Sequence, residues 1–230
     1  MTSLSMGTGV DELNPVWTPD GRNVVFGVLG KNRGLFRAPA DGSGRAEQLV
    51  PGDGLLVPDS WTSDGKMLLY TSGAGAASLT IGSTGVVKPY ALVGSSILDR
   101  DAQISPDGKW VAYTSDESGR HEIYAQAFPG PGGRIAISRG EGQEPRWSGD
   151  GRELFYRNAR THQMVQVDFQ TGSSLQAGPP KPLFELRSPY WDVTPDGKQF
   201  LVVKQEESSD APTKVQVVVN WFEELRQKSR

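Results

Sequence analysis

The chain has 230 residues, of which 22% are charged and 36% hydrophobic, and its formal net charge is -3 at pH 7. This composition is that of a folded protein, because disordered chains carry fewer apolar residues and a larger net charge. The length of 230 residues suits a single domain. The lack of a basic surplus disfavours general binding to nucleic acid or to an anionic membrane surface, and the lack of cysteine excludes disulfides, thiolate metal ligands and cysteine nucleophiles.

A turn motif repeats five times along the chain and defines its organisation. Its clearest copy is Ser105-Pro106-Asp107-Gly108, in which proline fixes φ and glycine is free to adopt a positive φ. Apolar residues alternate on both sides of the turn, so each copy predicts a β-hairpin with one buried face and a positive φ at the glycine. The aspartates of the five copies are 44, 43, 43 and 46 residues apart: Asp20, Asp64, Asp107, Asp150 and Asp196.

Two further strands are predicted after the hairpins. Third strands are expected at residues 35–38, 79–81, 122–125, 164–167 and 215–219, and fourth strands at 46–50, 88–92, 134–138 and 181–185. Four short antiparallel strands every ~40–45 residues are typical of a propeller blade. The sequence therefore predicts a single all-β propeller domain over residues 1–230, most simply with five blades at approximately 14–50, 57–92, 100–138, 144–185 and 190–220.

The fifth copy has no fourth strand of its own, and the N-terminus can supply one. Residues 2–6 precede the first blade as residues 46–50 precede the second. We therefore expect residues 2–6 to pair with residues 215–219 and close the ring, which removes a sheet edge that would otherwise seek a partner. Residues 221–230 are predicted to form a short amphipathic helix or tail.

The copies resemble the repeat of TolB-type β-propellers. The run Ile104-Ser-Pro-Asp-Gly-Lys-Trp-Val-Ala-Tyr-Thr-Ser-Asp-Glu-Ser-Gly-Arg120, with Glu144-Pro-Arg-Trp147, Pro182-Leu-Phe184 and Val219-Asn-Trp221, is also similar to the C-terminal sensor region of large bacterial serine/threonine protein kinases. The resemblance covers nearly the whole chain. It implies a propeller that serves as an input module, extracytoplasmic when it belongs to a membrane-anchored kinase. It names no ligand, because a fold does not fix a function.

Acidic residues occur in the segments that lead into the first strand of each blade. In a propeller these segments gather around one mouth of the central channel, where carboxylates destabilise one another unless they are hydrated, paired with Arg100 or Arg146, or bridged by a cation. Oxygen ligands favour Ca²⁺ over zinc, so calcium is the one cofactor that the sequence suggests. The alternative is a solvated polar rim. The candidate ligand-binding or cation-binding residues are Asp59, Asp99, Asp101, Glu141, Glu144 and Asp192, preceded in the first copy by Asp11 and Glu12.

Motifs for catalysis are absent, since the sequence has no Gly-x-Ser-x-Gly elbow, no phosphate loop and no protein-kinase motif. His121 and His162 are predicted on different blades, so nothing supports a Ser-His-Asp triad, and the residues after His121 are predicted to form a strand and not a zinc-binding helix. Trp17, Trp61 and Trp147 share the position three residues before the turn aspartate. Packing between blades explains that position better than stacking on a ligand.

Three functions remain open from the sequence. The leading hypothesis is a monomeric binding or sensor module that takes a protein, a peptide or a glycan, without kinase chemistry of its own, without nucleic acid and without direct membrane contact. The alternative is a hydrolase of lactones, esters or phosphotriesters that uses a cation at the acidic channel mouth. The third is a structural or assembly role.

Overall fold

The structure is a computed structural model that describes residues 11–30, 32–73, 75–80, 87–88, 100–130, 132–171, 175–203 and 216–218. Throughout these ranges the regular secondary structure consists of antiparallel β-strands. Within the same ranges, no helix has the length and apolar composition needed to span a membrane. The fold is therefore all-β, with successive small sheets arranged as the blades of a propeller, as the repeat predicts.

Five sheets follow one another along the described chain. Sheet 1 contains β1 (Asp11–Trp17), β2 (Asn23–Leu29), β3 (Gly34–Pro39) and β4 (Glu47–Pro51). Sheet 2 contains β5 (Val57–Trp61), β6 (Met67–Ser72), β7 (Gly75–Thr80) and β8 (Val87–Lys88). Sheet 3 contains β9 (Arg100–Ile104), β10 (Trp110–Ser115), β11 (Glu122–Ala127) and β12 (Arg134–Ala136).

Sheets 4 and 5 depart from this pattern. Sheet 4 contains β13 (Gly142–Trp147), β14 (Glu153–Asn158), β15 (Gln163–Thr171), β16 (Leu175–Ala177) and β17 (Lys181–Glu185). The nine-residue β15 pairs with β17 along its first part and with β16 along its last part, and β16 is a strand that the sequence did not predict. The described part of sheet 5 contains β18 (Trp191–Val193), β19 (Phe200–Val202) and β20 (Gln216–Val218).

Some predicted boundaries change, and others fall outside the described residues. β1 begins at Asp11, three residues before the start predicted for the first blade. The strand predicted at residues 88–92 overlaps β8 only at Lys88. The remainder of that strand, the closing strand at residues 2–6 and the tail at residues 221–230 lie outside the described ranges. Closure of the ring by residues 2–6 therefore stays a prediction.

The hairpin turns adopt the predicted conformation through local hydrogen bonds. The Ser105 hydroxyl donates to the Asp107 carboxylate at 2.6 Å and accepts the N–H of Trp110 at 3.0 Å, while the N–H of Gly108 donates to the Ser105 carbonyl at 2.8 Å. An equivalent Thr or Ser makes the same bonds in the other four turns. These bonds fix where each first strand ends. Positive φ values of 67° to 70° confirm the prediction for Gly21, Gly65, Gly108, Gly151 and Gly197.

One packing rule joins each sheet to the sheet before it. The residues four and six positions after the turn aspartate face the preceding sheet, and the residue five positions after it faces the following sheet. Between sheets 2 and 3, for example, Leu69 of β6 packs in one cluster with Val111 and Tyr113 of β10, and all three are fully buried. Equivalent clusters join sheet 1 to sheet 2, sheet 3 to sheet 4 and sheet 4 to sheet 5. Neighbouring residues serve different interfaces because side chains alternate along a strand.

The repeat tryptophans do not share one environment, which corrects part of the prediction. Trp61 packs between sheets 1 and 2. Trp147 packs between sheets 3 and 4, where its Nε1 donates to the carbonyl oxygen of Gln103 at 3.0 Å. Trp17, in contrast, is 62% exposed. Trp61 and Trp147 therefore pack against the sheet that precedes their own, and Trp17 does not share that burial.

Candidate functional site

A β-bulge interrupts the first strand of each of the first four sheets. The pairing register shifts around Asn14 in β1, Asp59 in β5, Asp101 in β9 and Glu144 in β13. Asn14, Asp101 and Glu144 also have positive φ values of 46°, 57° and 59°. Asn and Asp tolerate this left-handed conformation better than most residues do, and a bulge changes the direction of the side chain that it carries. Because of the bulges, the side chains of Asp59, Asp101 and Glu144 do not follow the regular alternation between the two faces of the sheet.

Each of these three acids has a polar partner on the second strand of its own sheet. The partners occupy one repeat position, seven residues after the turn aspartate. The sequence reading missed them, although the signal was present as a polar residue that ends the apolar alternation of the second strand. The pairs are Asp59 with Thr71, Asp101 with Thr114, and Glu144 with Arg157.

Asp59 is the most buried of the three acids, with 9% of its surface exposed. Its Oδ2 accepts a hydrogen bond of 2.8 Å from the Thr71 hydroxyl. Burial raises the pKa of Asp59 well above its ordinary value, and the negative charge of Asp101 raises it further. The Thr71 hydrogen bond and the positive charge of Arg146 act in the opposite direction but do not cancel the rise. Asp59 therefore carries a carboxyl group whose ionised form is poorly compensated within the fold.

Asp101 and Glu144 are linked through a threonine. The Thr114 hydroxyl donates to Asp101 Oδ2 at 3.1 Å and accepts the backbone N–H of Glu144 at 3.2 Å. Asp101 also forms an ion pair with Arg100, whose Nε lies 3.6 Å from Oδ2. Because Asp101 also acts electrostatically on Asp59, the acids of sheets 2, 3 and 4 form one connected network. We call Asp59, Asp101 and Glu144 with their partners Thr71, Thr114 and Arg157 the acidic network.

Glu144 is the fully paired member of the acidic network. Arg157 donates two hydrogen bonds of 2.9 Å to its carboxylate, and the indole Nε1 of Trp191 in sheet 5 donates a third at 3.3 Å. The hydrogen bonds to Glu144 raise the pKa of Arg157, and the negative charges of Glu144 and Asp101 add to that rise against the effect of burial. Glu144 thereby connects sheet 4 to sheet 5 and holds Arg157 as a fixed cation.

Arg146 is a cation beside the acidic network, and its one ion pair among the described residues is long. Its Nη1 donates to the Pro145 carbonyl at 2.8 Å, its Nε lies 4.0 Å from Asp192 Oδ1, and its guanidinium carbon lies 5.9 Å from the centre of the Trp191 ring. The side chain of Arg146 is 30% exposed. Tyr190, the neighbour of Trp191 in the chain, is 57% exposed. This corner combines a stacked cation with an exposed aromatic ring.

The structure brings together some of the predicted site residues but not all. Asp59, Asp101 and Glu144 belong to the acidic network, and Asp192 joins it only through Arg146. The described contact of Glu141 is made by its backbone, whose carbonyl accepts the N–H of Ala159 at 2.8 Å. Asp99 lies outside the described residues. At the start of the described chain, Asp11 is exposed and Glu12 is partly buried.

The described residues contain no group of three or more His, Asp or Glu side chains placed to hold a metal ion. Of the predicted calcium ligands, Asp59 and Asp101 are the pair that interacts across two sheets, and Asp99 falls outside the described ranges. His121 has a buried Nδ1 without a hydrogen-bond partner, and His162 lies in the β14–β15 turn with a positive φ of 54°. The acidic network and the neighbouring Arg146 therefore provide charged groups of both signs, the carboxylates of Asp59 and Asp101 and the guanidinium of Arg146.

Comparisons with known proteins identify the fold. No protein-family model matches the sequence, and no curated protein matches it. Among solved structures, TolB from Acinetobacter baumannii is similar, with 24% sequence identity and a TM-score of 0.64 over 86% of this chain and 49% of that chain. A structure of a nidogen–laminin complex has 15% identity and a TM-score of 0.64 over 84% of this chain and 71% of the other. A gluconolactonase from Xanthomonas campestris has 12% identity and a TM-score of 0.63 over 91% of this chain and 72% of the other.

At these identities the similarity shows the fold alone, which is a TolB-like β-propeller. The chain spans about half of the length of the A. baumannii TolB chain that it matches. The similar structures include an auxiliary nutrient binding protein from Bacteroides thetaiotaomicron and the gluconolactonase, so the fold is compatible with both the binding and the hydrolase hypotheses and does not choose between them.

Proposed function

We propose that this protein is a binding propeller that holds a segment of another protein or a peptide at the acidic network. The observation that carries this proposal is the poorly compensated Asp59, buried next to the like charge of Asp101. A carboxyl group in that position lowers the stability of the folded protein at neutral pH, and such perturbed groups cluster at functional sites. A ligand with a lysine or arginine side chain would supply the missing positive charge.

The corner formed by Arg146, Trp191 and Tyr190 supports a peptide as the ligand. Exposed tyrosine and partly exposed arginine are the residue types that contribute most binding energy at protein interfaces. Arg146 has N–H groups in excess of its single described hydrogen bond, and these can donate to the carbonyl or carboxylate oxygens of a bound chain. The site thus combines a cation-binding part at Asp59 and Asp101 with an oxygen-binding part at Arg146.

The similar proteins and the sequence resemblance support a binding role in different ways. One neighbour is part of a nidogen–laminin complex, in which proteins associate with each other. The likeness of the run from Ile104 to Arg120 to the C-terminal sensor region of bacterial serine/threonine kinases supports an input role, with the ligand as the signal. That context would place the propeller outside the cytoplasm.

The proposal can be tested with a display library of random peptides. We expect the wild-type protein to enrich peptides with lysine or arginine, and the Asp59→Asn, Asp101→Asn double variant to lose at least tenfold in affinity for those peptides by calorimetry. Glu117→Gln is the matched control, because Glu117 is an acid paired with Arg134 outside the acidic network. No enrichment by the wild type, or equal affinity of the double variant, would reject the proposal.

A calcium-dependent hydrolase is the second candidate, favoured by the adjacent carboxylates of Asp59 and Asp101 and by the gluconolactonase neighbour. Ca²⁺ held by oxygen ligands could polarise a lactone, ester or phosphoryl oxygen. If so, millimolar Ca²⁺ should raise the Tm by mass action, replacing Asp99 and Asp101 together by Asn should abolish the shift, and a substrate panel should show hydrolysis that a chelator stops. Absence of calcium binding by calorimetry together with an inert panel would reject the hydrolase and leave the binding proposal standing.

A further inference from the structure

The hairpin turns of sheets 4 and 5 are tied to each other, whereas those of sheets 1 and 2 cannot be tied in the same way. The N–H of Gly149 in the turn of sheet 4 donates to the carbonyl of Pro195 in the turn of sheet 5 at 2.6 Å. Both residues directly precede a turn aspartate. The equivalent residue in sheet 1 is Pro19, which has no N–H and so cannot donate to Ser63, its counterpart in sheet 2.

A pocket of about 390 Å³ lies between the hairpin turns of sheets 1 and 2. Its volume falls within the range of small-molecule sites, roughly 300–1,000 Å³. None of the acidic-network residues lines it. We call it the turn pocket, and the side chains that carry the argument below are Asp20, Asn23, Arg37, Trp61 and Asp64.

The two aspartates of the turn pocket are ionised hydrogen-bond acceptors at neutral pH. A threonine hydroxyl and a backbone N–H of the same turn donate to Oδ1 of each aspartate, and these bonds lower the pKa values of Asp20 and Asp64. Because the turns use Oδ1, the Oδ2 atoms remain as acceptors for a ligand. Oδ2 of Asp64 also lies 3.3 Å from Nζ of Lys66, whose side chain is 78% exposed.

Hydrogen-bond donors and an aromatic ring line the same pocket. Nη2 of Arg37 is paired with Glu47 at 2.6 Å, and a guanidinium has five N–H groups, so this ion pair does not exhaust its donors. The side-chain amide of the partly buried Asn23 can both donate and accept. Trp61 is also partly buried: it packs on the core cluster between sheets 1 and 2 and contributes apolar surface to the pocket wall.

The mixed charges of the turn pocket disfavour a simple ion as the ligand. A purely cationic group would meet the like charge of Arg37, and a purely anionic group would meet the like charges of Asp20 and Asp64. A hydroxyl group suits both kinds of partner, because it donates to a carboxylate and accepts from a guanidinium or an amide. The pocket therefore matches a neutral molecule with several hydroxyl groups.

We propose that the turn pocket binds a saccharide, with the apolar face of a sugar ring packed on Trp61 and its hydroxyl groups hydrogen-bonded to Asp20, Asp64 and Arg37. Aromatic side chains provide a large apolar surface, which suits the C–H face of a sugar ring. This inference does not depend on the proposed peptide ligand, because the turn pocket and the acidic network share no residue.

Saturation-transfer NMR and calorimetry with a saccharide panel test the proposal. The panel consists of glucose, galactose, mannose, N-acetylglucosamine, cellobiose and chitobiose, and methylammonium and acetate serve as charged probes. We expect at least one saccharide to bind with a Kd of about 1 mM or lower and the charged probes not to bind. If no saccharide of the panel binds, or if a charged probe binds more tightly than every saccharide, the proposal is wrong.

Asp64→Asn and Asp150→Asn form a matched pair of variants. Asp150 makes the same two turn bonds in sheet 4 but does not line the turn pocket. Both substitutions should affect the stability of their turns alike, whereas only Asp64→Asn should weaken binding of the saccharide identified in the panel, by about fivefold or more. Equal affinities of the two variants would overturn the proposal.

Two further variants locate the saccharide in the turn pocket. Trp61→Phe keeps an aromatic ring in the core cluster and should also weaken binding. If that variant does not fold, Arg37→Met tests the same pocket at a partly exposed position and should weaken binding through the lost donors. The Asp59→Asn, Asp101→Asn double variant should bind the saccharide as the wild type does. Loss of saccharide binding in the double variant would assign the sugar to the acidic network and reject the turn pocket.

Discussion

Arg157 and Glu144 are joined by two hydrogen bonds of 2.9 Å, with only 9% and 16% of their side chains exposed. Two parallel bonds between a guanidinium and a carboxylate are stronger and more directional than a single charge contact. The pair lies between the bulge of β13 and the second strand of sheet 4, and Trp191 of sheet 5 donates to the same carboxylate. The pair and Trp191 therefore link sheet 4 to sheet 5 at one end of the acidic network.

We predict that Glu144→Gln lowers the free energy of unfolding by about 2–4 kcal/mol, because it leaves the buried Arg157 without its counter-ion. The measurement is urea unfolding, in which the midpoint should fall without a change in slope. Glu117→Gln is the matched control: the Glu117–Arg134 pair is more exposed, with 40% of the Glu117 side chain open to solvent, and its loss should have a much smaller effect. Equal losses for the two variants would show that the burial of the Glu144 pair is unimportant.

The raised pKa of Asp59 predicts a pH-dependent effect of Asp59→Asn on stability. As the pH rises above the unfolded-state pKa of about 3.9, the unfolded chain loses this proton before the folded protein does, so the wild type loses stability until the folded-state pKa is passed. The variant has no ionisable carboxyl group at position 59, so it does not lose this stability. Its Tm should exceed the wild-type Tm at pH 7, and the difference should vanish near pH 3, as measured by thermal unfolding across that range.

Asp20→Asn should change the Tm at pH 7 in the opposite direction and serves as the comparison. Hydrogen bonds from the Thr18 hydroxyl and the Arg22 N–H lower the pKa of Asp20. The stability that Asp20 contributes is therefore present above its unfolded pKa and lost as the pH falls, so the variant should melt below the wild type at pH 7 and approach it at low pH. If Asp59→Asn behaves like Asp20→Asn, the assignment of Asp59 as a destabilising acid is wrong.

A close approach between two turns predicts that Gly149 cannot be replaced by a larger residue. Its N–H donates to the Pro195 carbonyl at 2.6 Å, and a Cβ at this position would meet the same oxygen at 2.7 Å. Gly149→Ala should lower the free energy of unfolding by about 1–3 kcal/mol in a urea titration, because neither turn can move without breaking that contact. Ser63→Ala changes the equivalent position of sheet 2, which is exposed, and should be neutral.

Gly108 tests the conformational requirement of the turn without a steric one. Its φ is 70°, and a Cβ added there would meet nothing within 4 Å. Gly108→Val should still lower the free energy of unfolding by more than ~1 kcal/mol, because β-branched residues avoid the left-handed region. Gly54 has the same open surroundings and no positive φ, so Gly54→Ala should leave the stability unchanged when both variants are compared with the wild type by thermal unfolding. A stable Gly108→Val protein would contradict the turn assignment.

Deletion of residues 1–6 tests the predicted closing strand. If these residues form the fourth strand of sheet 5, their loss leaves the edge of β20 unpaired and should lower stability by several kcal/mol out of a total of about 5–15 kcal/mol. Thermal unfolding and light scattering are the measurements. An unchanged Tm together with an unchanged monomer would reject closure by the N-terminus.

The sequence by itself determined the fold because the turn and the strand pattern of each repeat depend on residues close together in the chain. The hydroxyl, aspartate and glycine around Asp107 close the turn by bonds within six residues, and alternation places Val111 and Tyr113 on one face. These are short-range effects, so a single sequence is sufficient to predict them. The choice of acids as candidate site residues rested on the same repeat, and three of the six, Asp59, Asp101 and Glu144, do meet.

Tertiary structure decided what the acids do, because their state depends on neighbours in other sheets. Asp59 and Glu144 occupy similar places in their repeats, yet one is destabilised by burial and by Asp101 while the other is neutralised by Arg157. The exposure of Trp17 is a second example, since the same repeat position is covered in Trp61 by the preceding sheet. Charge compensation and burial are set by residues distant in the chain, and no local pattern of the sequence contains them.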